Sequence, residues 1–98
     1  MLTTTTPTVN LGNCKPNSYN NFTFNITNNS IETLTLEVKA SCGCTKPVLD
    51  KTTMGPFEMQ FGKAEIHLNS NKGTFTKHLT ITDQLKNIVK IKITGNVI

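Results

Sequence analysis

The sequence predicts an all-β protein, a sandwich of about seven short antiparallel strands. Three observations carry this. Apolar and polar residues alternate in run after run, the period-two mark of a strand with one buried face. Turn-forming Asn, Gly, Pro and Ser residues recur roughly every 8–12 residues, the spacing at which sandwich strands reverse. No stretch has an apolar stripe of helical period long enough to make a helix.

A first strand is expected around Thr8–Leu11. "NNFTFNITNN" then places Phe22, Phe24 and Ile26 on one face, and "TLTLEVKA" does the same with Leu34, Leu36 and Val38. The intervening "NNS" supplies residues that tolerate left-handed backbone. After the turn pair Gly55-Pro56, "FEMQF" alternates through Phe57, Met59 and Phe61. Beyond Gly62 a further stripe runs through Ala64, Ile66 and Leu68. "NSNKG" makes a loop before Phe75, Leu79 and Ile81, and the last run offers Val89, Ile91, Ile93 and Val97 with Lys90, Lys92 and Thr94 outward. The expected core is therefore Phe22, Phe24, Ile26, Leu34, Leu36, Val38, Ile66, Leu68, Phe75, Leu79, Ile81, Val89, Ile91 and Ile93. If "NSNKG" closes a hairpin with Leu68 opposite Phe75, Glu65 faces His78 and His67 faces Thr76.

At 98 residues the chain is long enough for one domain and one thin core. Residues 9–98 form the sandwich, and residues 1–8, with the Thr3–Thr6 run, a flexible or docking N-terminal arm. The net charge of +4 comes from ten Lys and no Arg. Specific nucleic-acid readout is disfavoured, since the bidentate guanidinium is missing. Lys at strand edges more often blunts aggregation. "MLTTTTPTVN" has neither the basic region nor the apolar run of a signal peptide, and no stretch is apolar enough for a membrane span. The expected setting is thus without export or membrane. The triplets beginning at Asn21, Asn25 and Asn28 match the glycosylation pattern and are read as coincidence.

The most distinctive stretch is "ASCGCTKP", residues 40–47. One residue between Cys42 and Cys44 suits neither a redox pair, which favours two at a helix start, nor relaxed disulfide geometry. A zinc site drawn from Cys14, Cys42, Cys44 and His67 or His78 has enough ligands but no spacing that gathers them. The favoured reading is architectural: Cys42 and Cys44 on one face as small hydrophobes, Gly43 where backbone bends or approaches closely, and Cys14 filling core. No nucleophile elbow, phosphate loop or carboxylate pair is visible, so no catalytic residue, metal or cofactor is expected.

Together, "FTFNITNNSIETLTLEVKASCGCTKP", the Gly/Pro turn, "KGTFTKHLTIT" and "IKITGNVI" resemble a bacterial Ig-like domain family of unknown function with a Ser-Cys-Gly-Cys-Thr signature. That family is related to the ASH (Hydin-type) and PapD-like sandwiches. The resemblance runs from about Val9 to Ile98 and implies an Ig-like fold that binds or scaffolds, with Ser41, Cys42, Gly43, Cys44 and Thr45 as structural signature. The sequence departs from it at "MGPFE", where the family usually has Pro-Gly-Glu, at Cys14, where an apolar residue is usual, and in lacking the family's exported context.

The function this implies is binding. A copy of this kind looks like an auxiliary (decoration) protein on the capsid exterior of a tailed bacteriophage, its partner the major capsid protein or another capsid component. The alternative is a cytoplasmic adaptor that grips a protein by strand addition. A thiol-redox or zinc protein is the outsider.

Overall fold

The computed structural model describes residues 2–41 and 43–98. Nine strands and no helix are present among them: β1 (Leu2–Thr3), β2 (Thr8–Cys14), β3 (Tyr19–Asn28), β4 (Leu34–Ala40), β5 (Thr45–Leu49), β6 (Thr53–Met54), β7 (Met59–His67), β8 (Gly73–Asp83) and β9 (Ile88–Val97). They form two sheets, ordered β1-β3-β7-β5 and β2-β9-β8-β4-β6. All pairings are antiparallel except β2 with β9. Three strands lie outside the seven expected, the two-residue β1 and β6 and the proline-containing β5, while the runs expected as separate strands on either side of Gly62 are the single strand β7.

The inner faces meet in a core that holds Phe22, Phe24, Ile26, Leu34, Leu36, Leu79, Ile81, Val89, Ile91 and Ile93, with Leu2, Met54 and Ala64. Ile66 and Leu68 form a second cluster with Cys14 and Val97 toward one end. Burying each large side chain contributes roughly 1.5–3 kcal/mol, so these rows are what hold the sheets together. Val38 and Phe75 are only half-buried, packed against the rim of the core.

Several expectations are corrected. Phe57, Met59 and Phe61 do not face inward; they are 65%, 53% and 57% exposed. The strand β7 passes straight through Gly62, so the phase set by Ala64 and Ile66 puts Gly62 and Gln60 inside and the residues between them outside. There is no β7–β8 hairpin, because the "NSNKG" loop carries the chain from one sheet to the other. Glu65 lies across from Asn21 and Lys46, His78 across from Lys92, and the His67 ring stacks on Tyr19 with centroids 4.5 Å apart. Alternation reports which face a residue occupies and says nothing of which strand lies beside it.

The N-terminal residues belong to the sandwich. Leu2 is buried, Leu2 and Thr3 pair with Asn28 and Thr27, and the chain then crosses to the other sheet as β2. Asn25 holds the crossing segment. Its Oδ1 accepts from Thr5 N–H at 2.8 Å, its Nδ2 donates to Thr5 Oγ1, and its own N–H donates to Thr6 Oγ1 at 3.2 Å. Asn28, fully buried, does similar work a little further along, at the C-terminal end of β3. Its Nδ2 donates to the carbonyls of Glu32 (2.7 Å) and Gly55 (2.9 Å), and its Oδ1 accepts from Ser30 N–H (3.0 Å).

Candidate interaction surfaces

The signature stretch is the crossover between the sheets. Ser41 ends the β4 side: its N–H donates to His78 O at 2.9 Å, and its Oγ accepts from His78 N–H at 3.0 Å. On the far side Cys44 O accepts from His67 N–H at 2.8 Å and Thr45, buried, opens β5 in the other sheet. Cys44 is disulfide-bonded, which corrects its reading as a reduced, hydrophobe-like thiol. Cys14 is a free, buried thiol. The expectation for Cys42 lies outside the described residues. Close packing is not what Gly43 provides, since a Cβ there would meet nothing within 4 Å.

Among the described residues no three His, Cys, Asp or Glu side chains gather as a metal site would require. His67, His78 and Cys14 are spread over an outer face of each sheet and the interior. No helix is long and apolar enough to cross a membrane. A cleft of about 230 Å³ opens beside Cys44, walled by His67, Lys72, Phe75 and Lys77 at one end of the sandwich.

The two outer faces differ in chemistry. On the β9-β8-β4 sheet, Lys90, Lys92, His78 and Lys39 share the surface with Thr76, Thr80, Thr82 and Thr94. Of these lysines, Lys39 lies 3.6 Å from Glu37. On the β3-β7-β5 sheet, cross-strand rows run Asn21–Glu65–Lys46, then Thr23–Lys63–Val48, then Asn25–Phe61, then Thr27–Met59. A shallow groove of about 530 Å³ follows the first two rows, lined by Asn21, Thr23, Lys46, Val48, Lys63 and Glu65. Val48 is diagonal to Phe61, and Met59 lies two residues along the same strand, so apolar side chains collect at one end of this face.

The turn that leads into this row carries a conformational anomaly. Gly55–Glu58 is a β-turn closed by Glu58 N–H to Gly55 O at 3.2 Å, with Pro56 second and Phe57 third. Phe57 has φ +59°, the left-handed backbone that a type II turn requires at its third position and that glycine normally supplies. A Phe there costs about 1–2 kcal/mol. Its ring gains nothing from the core, being mostly in solvent. The signal is legible in the sequence as "MGPFE", a departure from the Pro-Gly-Glu usual in the family it resembles.

The sheet order, inner-face packing and strand-switching N terminus define an all-β, Ig-like sandwich of the PapD-like class. The chain belongs to the family described as "Protein of unknown function (DUF1573)", whose model matches residues 2–97. No curated protein matches it in sequence. Among solved structures it is similar to the ASH/PapD-like domain 7 of human CEP192, at 7% identity and TM-score 0.81 over 99% of this chain and 84% of that one. It is also similar to a protein of unknown function from Porphyromonas gingivalis W83, at 13% identity and TM-score 0.78, covering 98% of this chain and 46% of that one. The E. coli chaperone DraB matches at 9% identity and TM-score 0.68, with 99% and 54% covered. The chain thus spans about half the length of the last two, and identities this low speak to fold alone.

Proposed function

We propose that this is a non-catalytic protein-binding module that seats the Phe57–Met59–Phe61 end of its β3-β7-β5 face on a larger protein assembly. The finer reading is an auxiliary protein on the outside of a tailed-phage capsid. The observation that carries the binding role is Phe57: an exposed aromatic ring held on strained backbone, at a turn position where glycine would be more stable. Aromatic anchors flanked by apolar and polar neighbours are the usual energetic centre of an interface. The Cys44 disulfide supports a setting outside the reducing cytosol, which favours a particle exterior over the alternative, a cytoplasmic adaptor.

The test begins with purified virions of the phage whose genome encodes the chain. The capsid reading expects the protein there in fixed ratio to the major capsid protein; its absence from particles removes that reading. Particles stripped of the protein are then offered Phe57→Gly and Phe61→Ala variants. Loss of rebinding by folded variants supports the docking face, and rebinding as tight as the parent chain rejects it.

A further inference from the structure

A sheet edge offers unpaired N–H and C=O groups to any other strand, and folded proteins blunt such edges with charge, proline or irregularity. Most edges here are blunted. In β5 the hydrogen bond from His67 N–H to Cys44 O places even-numbered residues toward β7 and Pro47 on the outer side, where it has no N–H to offer. The strand β4 is covered by β6 at Leu34 and Thr35, and Leu36 N–H is taken by Thr52 O; the remainder carries Glu37 and Lys39. The strand β2 is broken by a register shift between Asn10 and Asn13, with Gly12 at φ +68°.

The strand β3 is different. Asn28 N–H donates to Glu58 O and Ser18 O accepts from Leu68 N–H, so even-numbered residues face β7. Asn25 N–H, which reaches Thr6 Oγ1, shows that odd-numbered residues face the edge. The covering strand β1 reaches only Thr27 and Asn28, and the Thr4–Thr6 segment reaches Asn25. Among the described residues no strand lies beside Tyr19–Thr23. This stretch has no charge, no proline and no bulge. The backbone groups of Tyr19, Asn21 and Thr23 point out of the sheet edge.

We infer that this edge pairs with the same edge of a second copy of the chain, antiparallel about a two-fold axis through Asn21. The open segment is bounded by the Asn25–Thr6 clamp on one side and by the Lys15–Ser18 turn on the other, where Ser18 Oγ donates to Lys15 O. What remains, Tyr19–Thr23, is symmetric about Asn21. The two-fold sets Asn21 opposite Asn21 and Tyr19 opposite Thr23, all as hydrogen-bonded pairs. No like charges meet across the join, and the net +4 on each copy is screened beyond about 8 Å at physiological salt. The axis is perpendicular to the sheet, so the two β3-β7-β5 faces stay on the same side. The pairing stands independently of the docking role proposed for the Phe57 end, although a dimer would present that end twice.

The experiment is sedimentation velocity on the full chain over a wide concentration range. The parent chain is expected to reach a dimer. Asn21→Lys places two lysines opposite each other and is expected to weaken association at least about tenfold at low salt. Asn21→Glu does the same alone. Mixing the two variants is expected to restore a heterodimer, since opposite charges then face across the axis. Asn21→Pro removes an N–H that the internal ladder does not use; it is expected to keep the parent circular dichroism spectrum and lose the dimer. A parent chain that stays monomeric at every concentration overturns the inference, and so does a dimer that Asn21→Lys and Asn21→Glu leave unchanged. A dimer that both single variants disrupt but their mixture fails to restore rejects the two-fold register.

Discussion

The ring of Phe24 lies over the bare Cα of its cross-strand partner Gly62: a Cβ on Gly62 would stand 2.5 Å from Phe24 Cε2 and 2.9 Å from Leu49 Cδ2. The other sheet repeats the device, with Phe75 over Gly95, where a Cβ would come 2.5 Å from Phe75 Cζ. In each case a large ring uses the volume that a side chain would take on the neighbouring strand. Aromatic–glycine pairing also pins register, because a slip by one residue would move the ring off the notch.

Gly62→Ala should therefore destabilise by about 1–3 kcal/mol, as overpacking does when the obstructing group is a buried ring. Phe24→Ala should cost about 3–5 kcal/mol through the cavity it opens. The double variant should cost less than the sum, since the alanine methyl occupies part of that cavity. Urea unfolding of the three proteins measures the coupling; strict additivity would mean the ring and the glycine do not share that space.

Phe57→Gly tests the strain at the turn. Relief of the left-handed backbone is worth about 1–2 kcal/mol. The added flexibility of glycine in the unfolded chain takes back about 0.5–1 kcal/mol. A net gain of roughly 0.5–1 kcal/mol is expected, read as a higher urea midpoint with unchanged slope. A clear loss of stability would show that the ring packs usefully after all.

The alternating rows at Phe22–Ile26, Leu34–Leu36 and Val89–Ile93 were readable because each strand buries one face along its length. The reading lost phase at Gly62, where an inward glycine looks like a break when the ring that fills its place sits on another strand. It lost the pairing of β7 because a five-residue loop serves a hairpin and a sheet-to-sheet crossover alike. The Asn and Thr residues that read as turn formers or chance glycosylation triplets include the Asn25 and Asn28 clamps, whose partners are distant in sequence. Of the candidate surface, only "MGPFE" stood out beforehand; its exposure depends on the phase of β7.

Asn28 ties the end of β3 to the turn that carries Phe57. Asn28→Ala leaves the carbonyls of Glu32 and Gly55 and the N–H of Ser30 without their side-chain partner. A loss of about 1–3 kcal/mol is expected, the cost of unsatisfied buried groups. Asn28→Asp should be worse, because it removes the donors and brings a charge into a fully buried position. Amide hydrogen exchange would localise the effect. Faster exchange at Glu58, whose N–H closes the turn, is the expected signature, and exchange unchanged there would sever the link.

The cysteines separate by reagent. In unfolded, unreduced protein Cys14 should be alkylated and Cys44 should not, with Cys44 labelled only after reduction. In the folded protein Cys14 should resist as well, being buried. Peptide mapping by mass spectrometry reads both sites, and labelling of Cys44 before reduction would contradict the disulfide.

Asp83 organises the β8–β9 connection. Its Oδ1 accepts from Leu85 N–H and Asn87 N–H, both at 2.9 Å, and its Oδ2 accepts from Asn87 Nδ2 at 2.8 Å. These bonds hold a loop in which Lys86 sits at φ +67°, a conformation its own side chain does not favour. Because the acceptor carries charge, each bond is stronger than a neutral one, and Asp83→Ala should cost about 1.5–3 kcal/mol. Lys86→Gly should partly offset that loss by removing strain the carboxylate no longer enforces. If Asp83→Ala were neutral in urea unfolding, the loop would be held by the strands alone, since β8 and β9 pair closely up to Thr82 and Ile88.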